Sequence, residues 1–407
     1  MGSLQGTNIN KIDGGNGRLS SINNRVFLLV AAMAVSTSTL VANEPVRLIQ
    51  TKDIEILGVT ESFDANNGVL AHYHVSEFFR LAPEASVYFL PVPEDATVAA
   101  IIPTILRTLK MHSEIKGIGM FGLEGTSLAT ATATANTLQI DLVNAAKAEG
   151  ILLDSVLIEA GTPGALLLNA YPDFTEATAQ NVSVVNAQDP NIASLDVAYK
   201  NHAAIGTALG SLAVRKMSEN IGSTSIENKP DDKKTGVFYS LTSVDPSRFV
   251  KAALATGEKI EDLTDQQIKD LINKGHIVIG PYIGAAGMYF SGSATCTSTT
   301  SKYSTIENNA VWNGAARLIR EALAPYIKGK VKKDPTSGKI MSTTISHWER
   351  ICTKACIERL EAENEISGGS IYINPNQTPN ADTPVKISIT IVSDEIAHTF
   401  DVDLSLT

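Results

Sequence analysis

Asn308-Asn309-Ala310-Val311-Trp312-Asn313-Gly314-Ala315-Ala316-Arg317-Leu318-Ile319-Arg320-Glu321-Ala322-Leu323 decides how this chain is read. Its apolar positions recur at helical spacing, so an amphipathic helix is predicted over Asn308–Ile327. A basic turn, Lys328–Gly338, leads to a second helix at Ser342–Glu363. The Gly368-Gly369 pair breaks the chain, and three short alternating strands follow, among them Val385–Val392 and Ala397–Ser405. Nothing in this stretch has the residue types of a catalytic centre. Its last strand alternates Phe400, Val402 and Leu404 with Asp401, Asp403 and Ser405, a pattern suited to adding onto another sheet.

Working outward, the 407 residues have room for two or three domains. With 43% hydrophobic and 19% charged residues the composition is that of an ordinary globular protein. The net charge of -10 gives no general electrostatic case for nucleic acid. The charge is uneven: residues 301–360 hold eleven Lys or Arg against five Asp or Glu, so the rest is strongly acidic. A basic module on an acidic body suggests an acidic partner; the plainer reading is two solvated helix faces.

Val26–Val35 is the strongly apolar run. It is shorter than the ~20 residues that span a bilayer. It resembles a leader core, with Arg25 ahead of it, but the polar segment before it is too long for that, so a buried strand is expected. Cys296, Cys352 and Cys356 make an odd set without a disulfide framework, which suits a reducing compartment.

Residues 1–24 are Gly-, Asn- and Ser-rich, with sparse apolar Ile9, Ile12, Leu19 and Ile22. Such a segment buries too little to order itself, though its alternation allows strand addition to a foreign edge. Beyond it, strands are predicted at Val26–Ala31, Val87–Val92, Gly117–Gly122 and Leu152–Glu159. Helices are predicted at Gly68–Leu81, Ala96–Leu109, Thr132–Glu149 and Ile192–Met217. This order means α/β with a mostly parallel sheet. A surface loop is expected at Ser218–Thr235, a capped helix at Leu263–Lys274, a strand at His276–Ile279 and a linker at Ser293–Thr305.

Motifs for chemistry are weak. Gly117-Ile118-Gly119-Met120-Phe121-Gly122 fits the dinucleotide pattern, with Asp141 about 20 residues on, but that pattern needs a strand before it and a helix after it. Here the motif itself has the look of a strand. An α/β enzyme or ligand-binding protein using this turn is the alternative reading. Cys352 and Cys356 share a helix face but lack zinc spacing with His347 or Cys296, and read as core residues. His72 and His74 diverge on a helix and make no natural metal pair. No cofactor, metal or catalytic residue is assigned.

The C-terminal order is a small-polar stretch from Ala294 to Ile306, the long helix, the Asp334-Pro335-Thr336-Ser337-Gly338 turn, a second helix, then Ser367-Gly368-Gly369 and Ile373-Asn374-Pro375-Asn376-Gln377. It resembles the C-terminal domain of contractile tail sheath proteins of phages and related injection systems. The Gly-rich arm, Glu55-Ile56-Leu57-Gly58-Val59-Thr60 and Glu77-Phe78-Phe79 are similar to compact bacterial sheath-like proteins. The resemblance implies a non-enzymatic, six-fold helical homopolymer around an inner tube protein. Baseplate and terminator or cap proteins would be its other partners, with neither nucleic acid nor membrane insertion. Assembly in a bacterial cytoplasm precedes incorporation into a phage tail or injection particle. The resemblance divides the chain into an arm (1–24), an α/β outer domain (25–255) and an α+β tube-facing domain (256–407). Strand exchange then falls to Ile9, Ile12, Leu19, Ile22, Phe400, Val402 and Leu404. The tube-facing charge falls to Arg317, Arg320, Lys328, Lys330, Lys332, Lys333 and Lys339.

Overall fold

The computed structural model describes residues 25–34, 39–160, 167–378 and 384–397. The expected exchange residues Ile9, Ile12, Leu19, Ile22, Phe400, Val402 and Leu404 lie outside them.

Six strands form the main sheet: β1 (Val26–Ala32), β2 (Val46–Leu48), β3 (Val87–Val92), β4 (Ile115–Phe121), β5 (Ser155–Glu159) and β6 (Val182–Val185). Their order is β2-β3-β1-β4-β5-β6, all parallel except β2, which runs antiparallel on β3. Every residue of β1 is buried, as expected of a strand covered on both faces. The apolar run at Val26 is therefore a central strand.

Helices α1 (Ala71–Leu81), α2 (Val98–Met111) and α3, which runs from Ala131–Thr137 through a π segment Leu138–Asn144 to Ala145–Ala148, make the crossovers. The sheet winds outward in two directions from β1, so right-handed crossovers put α1 on one face and α2 and α3 on the other. Helix α4 (Ile205–Val214) lies against β1, β4 and β5 with α1 on its back.

A single helix over Ile192–Met217 is not what forms. A short helix at Pro190–Ala193, a 3-10 turn at Val197–Tyr199 and then α4 replace it. Asp189 and Asp196 side chains cap the first two, so the polar spacers compete with continuous helix. The expected linker Ser293–Thr305 is also corrected: Cys296-Thr297 pair with Thr178-Ala179, and Cys296 is fully buried in the main core. The strand expected at His276–Ile279 starts at Ile279, as β7 (Ile279–Tyr282) in a hairpin with β8 (Ala285–Phe290). Helix α5 (Asp265–Asn273), expected as a capped helix, begins on a capping box of Thr264 and Gln267.

The large core draws on residues from Val26 to Ile306. Smaller clusters hold the C-terminal lobe. Helix α6 (Ile306–Leu323) packs Ala310, Val311, Ala315 and Leu318 on Cys356, Ile357 and Leu360. Those last three belong to α7, Ser342–Cys352 continued through a π segment Thr353–Ile357 to Glu358–Ala362. The lobe ends on a two-stranded antiparallel hairpin, β9 (Gly368–Tyr372) with β10 (Ser388–Val392). It approaches α7 closely: a Cβ on Gly369 would lie 2.6 Å from Ile357 Cδ1.

Candidate functional site: a polar seam between two lobes

Helix α6 joins the lobes, and one of its faces is polar. Asn309, Asn313 and Arg317 are spaced by four residues and Arg320 by three more, so they share that face. Their partners are groups of the α/β lobe near the sheet's amino-terminal ends. Asn309 Nδ2 donates to Gln180 O at 2.8 Å, Asn313 Nδ2 to Leu153 O at 2.8 Å, Arg317 Nη2 to Leu152 O at 2.9 Å, and Arg320 to Gly150 O. Asp154, fully buried before β5, anchors the stripe. Its Oδ1 takes Asn313 Nδ2 at 3.1 Å and pairs with Arg317.

Two more buried carboxylates extend the seam. Glu307 accepts from Asn220 Nδ2 at 2.9 Å and from Ser293. Glu365 accepts from Ser218 N at 2.9 Å and Met217 N at 3.4 Å. Burial pushes both carboxyls above the usual carboxylate range, against the pull of those donors. Lys216 Nζ crosses to Glu363 O at 2.8 Å. A slot of about 140 Å³ opens between the lobes, walled by Lys147, Leu153, Asn181, Tyr303, Trp312 and Asn313. Lys147 Nζ stands 5.1 Å from the Trp312 ring centroid.

The carboxyl ends of the parallel strands are where open α/β sheets hold ligands, at the switch point between β1 and β4. Here the chain's own side chains crowd that end. The His74 ring lies 4.2 Å from Phe121, and Glu159 accepts from Gly122 N at 3.0 Å. Burial raises the Glu159 carboxyl to about 7. A Cβ on Gly122 would come within 3.1 Å of Ala32 O. Beside it, His202 donates from Nδ1 to Tyr199 O at 2.8 Å and is pushed down to about 4 by burial. Glu77 joins Arg80 at 2.6 Å and Arg248 at 3.2 Å in a buried ionic knot.

The Gly117–Gly122 pattern is strand β4 with the first residue of its exit. A Cβ on Gly117 would stand 2.7 Å from the Phe27 ring, and one on Gly119 2.6 Å from Leu209. These glycines admit β1 and α4 side chains, and Asp141 sits in the π segment of α3. His72 lies on α1 with Glu55 Oε1 at 3.1 Å, while His74 accepts from Gly206 N at 3.2 Å, so the two point to different partners. Cys296, Cys352 and Cys356 are buried free thiols. Among the described residues no group of three or more His, Cys, Asp or Glu side chains is disposed to hold a metal ion.

The basic residues fall into two sets. Arg317 and Arg320 serve the seam. Lys328, Lys330, Lys332, Lys333 and Lys339 lie on one ribbon, closed by a bridge between Lys333 and Ile340. Asp334 forms its turn: Oδ1 accepts from Thr336 N at 3.0 Å and Ser337 N at 2.7 Å, which holds its carboxyl low. The seam was missed in the sequence, although the Asn309, Asn313, Arg317 spacing was its signal.

Among the described residues no helix is long and apolar enough to cross a membrane. No curated protein sequence matches the chain. Solved structures do. A chain of the cryo-EM structure of the anti-feeding prophage (AFP) baseplate, six-fold symmetrised, superposes with TM-score 0.61 at 14% identity, covering 100% of both chains. A chain of an extracellular contractile injection system, the PVC sheath complex in contracted state, gives TM-score 0.55 at 12% identity over 98% of each. A chain of the AFP baseplate in contracted state gives 0.54 at 12% identity over 97% of each. The family described as DUF2586, N-terminal domain, matches residues 4–294. The chain thus belongs to the DUF2586 family, and its fold is that of a contractile tail sheath protein.

Proposed function

We propose that this chain is the structural subunit of a contractile sheath, polymerising helically around an inner tube and shortening to drive that tube through a target envelope. The observation that carries the reading is the match of fold over the whole length of both chains, both lobes included. The crowded switch point supports it as well, because a ligand there would have to displace His74, Phe121 and Glu159. The work is stored in subunit contacts at assembly, so the reading asks for no catalysis and no nucleotide in this chain; a few kcal/mol per subunit suffices for a bistable packing.

In this reading residues 1–24 are a linking arm, 25–255 the outer domain and 256–407 the tube-facing domain. The arm, through Ile9, Ile12, Leu19 and Ile22, and the terminal strand, through Phe400, Val402 and Leu404, pair with neighbouring copies. Hairpin β9–β10 suits that role because both its outer edges lack a partner strand among the described residues. Head-to-tail contacts of this kind build open helical assemblies. The lysine ribbon 328–339 faces an acidic tube, since exposed charge pairs grip weakly and release. Baseplate and cap proteins bound the polymer, which assembles in a bacterial cytoplasm.

The test is negative-stain electron microscopy of the full chain at rising concentration, beside a form lacking residues 1–24. Tubes or stacked rings that vanish with the truncation are expected. Uniform small particles from the full chain, even with an inner tube supplied as template, would overturn the reading. The triple charge reversal K330E/K332E/K333E is expected to leave stability within about 0.5 kcal/mol and abolish tube binding, checked by denaturation and co-sedimentation.

A further inference from the structure

Asp154 has two oxygens and three suitors. Oδ1 is taken by Arg317 and by Asn313 Nδ2 at 3.1 Å, both from α6. Oδ2 faces Arg25 Nε at 3.8 Å, a distance of charge contact without a hydrogen bond, and it has no hydrogen-bond partner in the structure. Arg25 is 3% exposed, at the head of β1. Its Nη1 donates to Leu212 O at 3.3 Å and its guanidinium lies 5.4 Å from the Phe27 ring centroid, while Nε and Nη2 have no hydrogen-bond partner. One buried anion thus stands between two cations, one hydrogen-bonded to it through Nη2 and the other short of bonds.

We propose that Arg25 is a standing competitor of Arg317 for Asp154, so that the seam between the lobes is held below its full strength and is released when Arg25 closes on the carboxylate. Charge, bonding and exposure each favour the exchange. Two guanidiniums beside one carboxylate repel each other, and in a buried site that repulsion is weakly screened. Arg25 Nε gains a hydrogen bond to Oδ2 by moving less than 1 Å, and a bidentate fork completed by Nη2 would claim Oδ1, which Arg317 and Asn313 hold. Arg317 is the cation with an alternative, because its side chain is 21% exposed and can be solvated when displaced, whereas Arg25 at 2% cannot. The exchange therefore leaves the buried carboxylate paired in both states, which lowers the cost of parting the lobes.

The competition rests on this geometry alone. Its use as a joint rests on the sheath reading. A measurement on unassembled full-length protein tests the first without the second.

The experiment uses W348F as background, leaving Trp312, in the slot wall, as the one tryptophan of the two in the chain. Acrylamide quenching of Trp312 and hydrogen exchange of α6 are read in R25M, R317M and the double variant. Arg25→Met is expected to slow α6 exchange about threefold or more and to reduce quenching, and Arg317→Met to do the opposite, with the double variant close to R317M. If R25M speeds exchange as R317M does, Arg25 is a strut and the proposal falls; unchanged exchange also overturns it. Arg25→Gln repeats the test without the bulk change. Failure of both Arg25 variants to fold would show that the cation is required by the fold, which is equally fatal.

Discussion

Gly206 shows how far a single atom reaches in this protein. It sits on α4 where a Cβ would come 2.1 Å from His74 O and 2.7 Å from His74 Cα, and four residues on Gly210 would meet Phe78 O at 2.8 Å. The pair brings α4 backbone to α1 backbone, so Gly206→Ala is expected to cost about 3 kcal/mol or more, at the upper end of overpacking; urea denaturation checks it. Glu159 carries a different burden. Its carboxyl is raised to about 7, so the folded chain holds a proton that the unfolded chain, near 4.5, has released. That stability is present at low pH and is lost as pH rises through 7. The residue keeps part of its surface, so the screened magnitude is about 1–2 kcal/mol. Relative to the parent, E159Q is expected to gain stability between pH 5 and 8, seen as a rising difference in melting temperature. His276 has the opposite sign. Asn186 donates to its Nδ1 and Pro172 O accepts from Nε2, which fixes a neutral ring, and burial lowers it to about 4. Its contribution is present above about 6.5 and is lost as pH falls towards 4, so H276Q should become relatively more stable with acid.

Elements were legible where pattern and burial agree. The all-apolar run of β1, the β3 run and the Thr264 capping box are local signals that tertiary structure leaves intact. Helix α4 is a different case. Its Gly206-x-x-x-Gly210 spacing was in the sequence, yet caps from Asp189 and Asp196 broke the longer helix that periodicity suggested. Cys296-Thr297 was illegible for another reason: a polar, threonine-rich stretch is buried because a strand far away in sequence, Thr178-Ala179, satisfies its backbone. The seam follows the same rule. Arg317 reads in the sequence as tube-facing charge or part of a solvated helix face, and only the carbonyls of Gln180, Leu153 and Leu152 show that Asn309, Asn313 and Arg317 are spoken for. Asn313→Leu is accordingly expected to destabilise by about 1–2 kcal/mol, since it removes one of the two donors to Leu153 O, which keeps Asn181 Nδ2, and weakens the hold on Asp154, whereas a solvated asparagine would tolerate the change; denaturation of the variant decides.

The whole molecule is two packings joined by ions. Apolar burial dominates each lobe, from Val26 to Ile306 in one and around Cys356, Ile357 and Leu360 in the other. Between them lie Asp154, Glu307 and Glu365 with their donors. Buried ion pairs specify geometry at little net gain, so the lobes are registered without being fused. The fold also leaves the carboxyl end of the main sheet with no chemistry assigned to it. His74, Phe121 and Glu159 crowd that end, and the loop after β4 leaves it at Gly122. Gly125, at φ +76 with nothing within 4 Å of its Cβ position, sits in an open turn after β4, where Thr130 Oγ1 donates to its carbonyl at 3.1 Å. An epitope tag inserted at that point is expected to leave the fold intact and to be bound by its antibody on the unassembled chain, one site per copy.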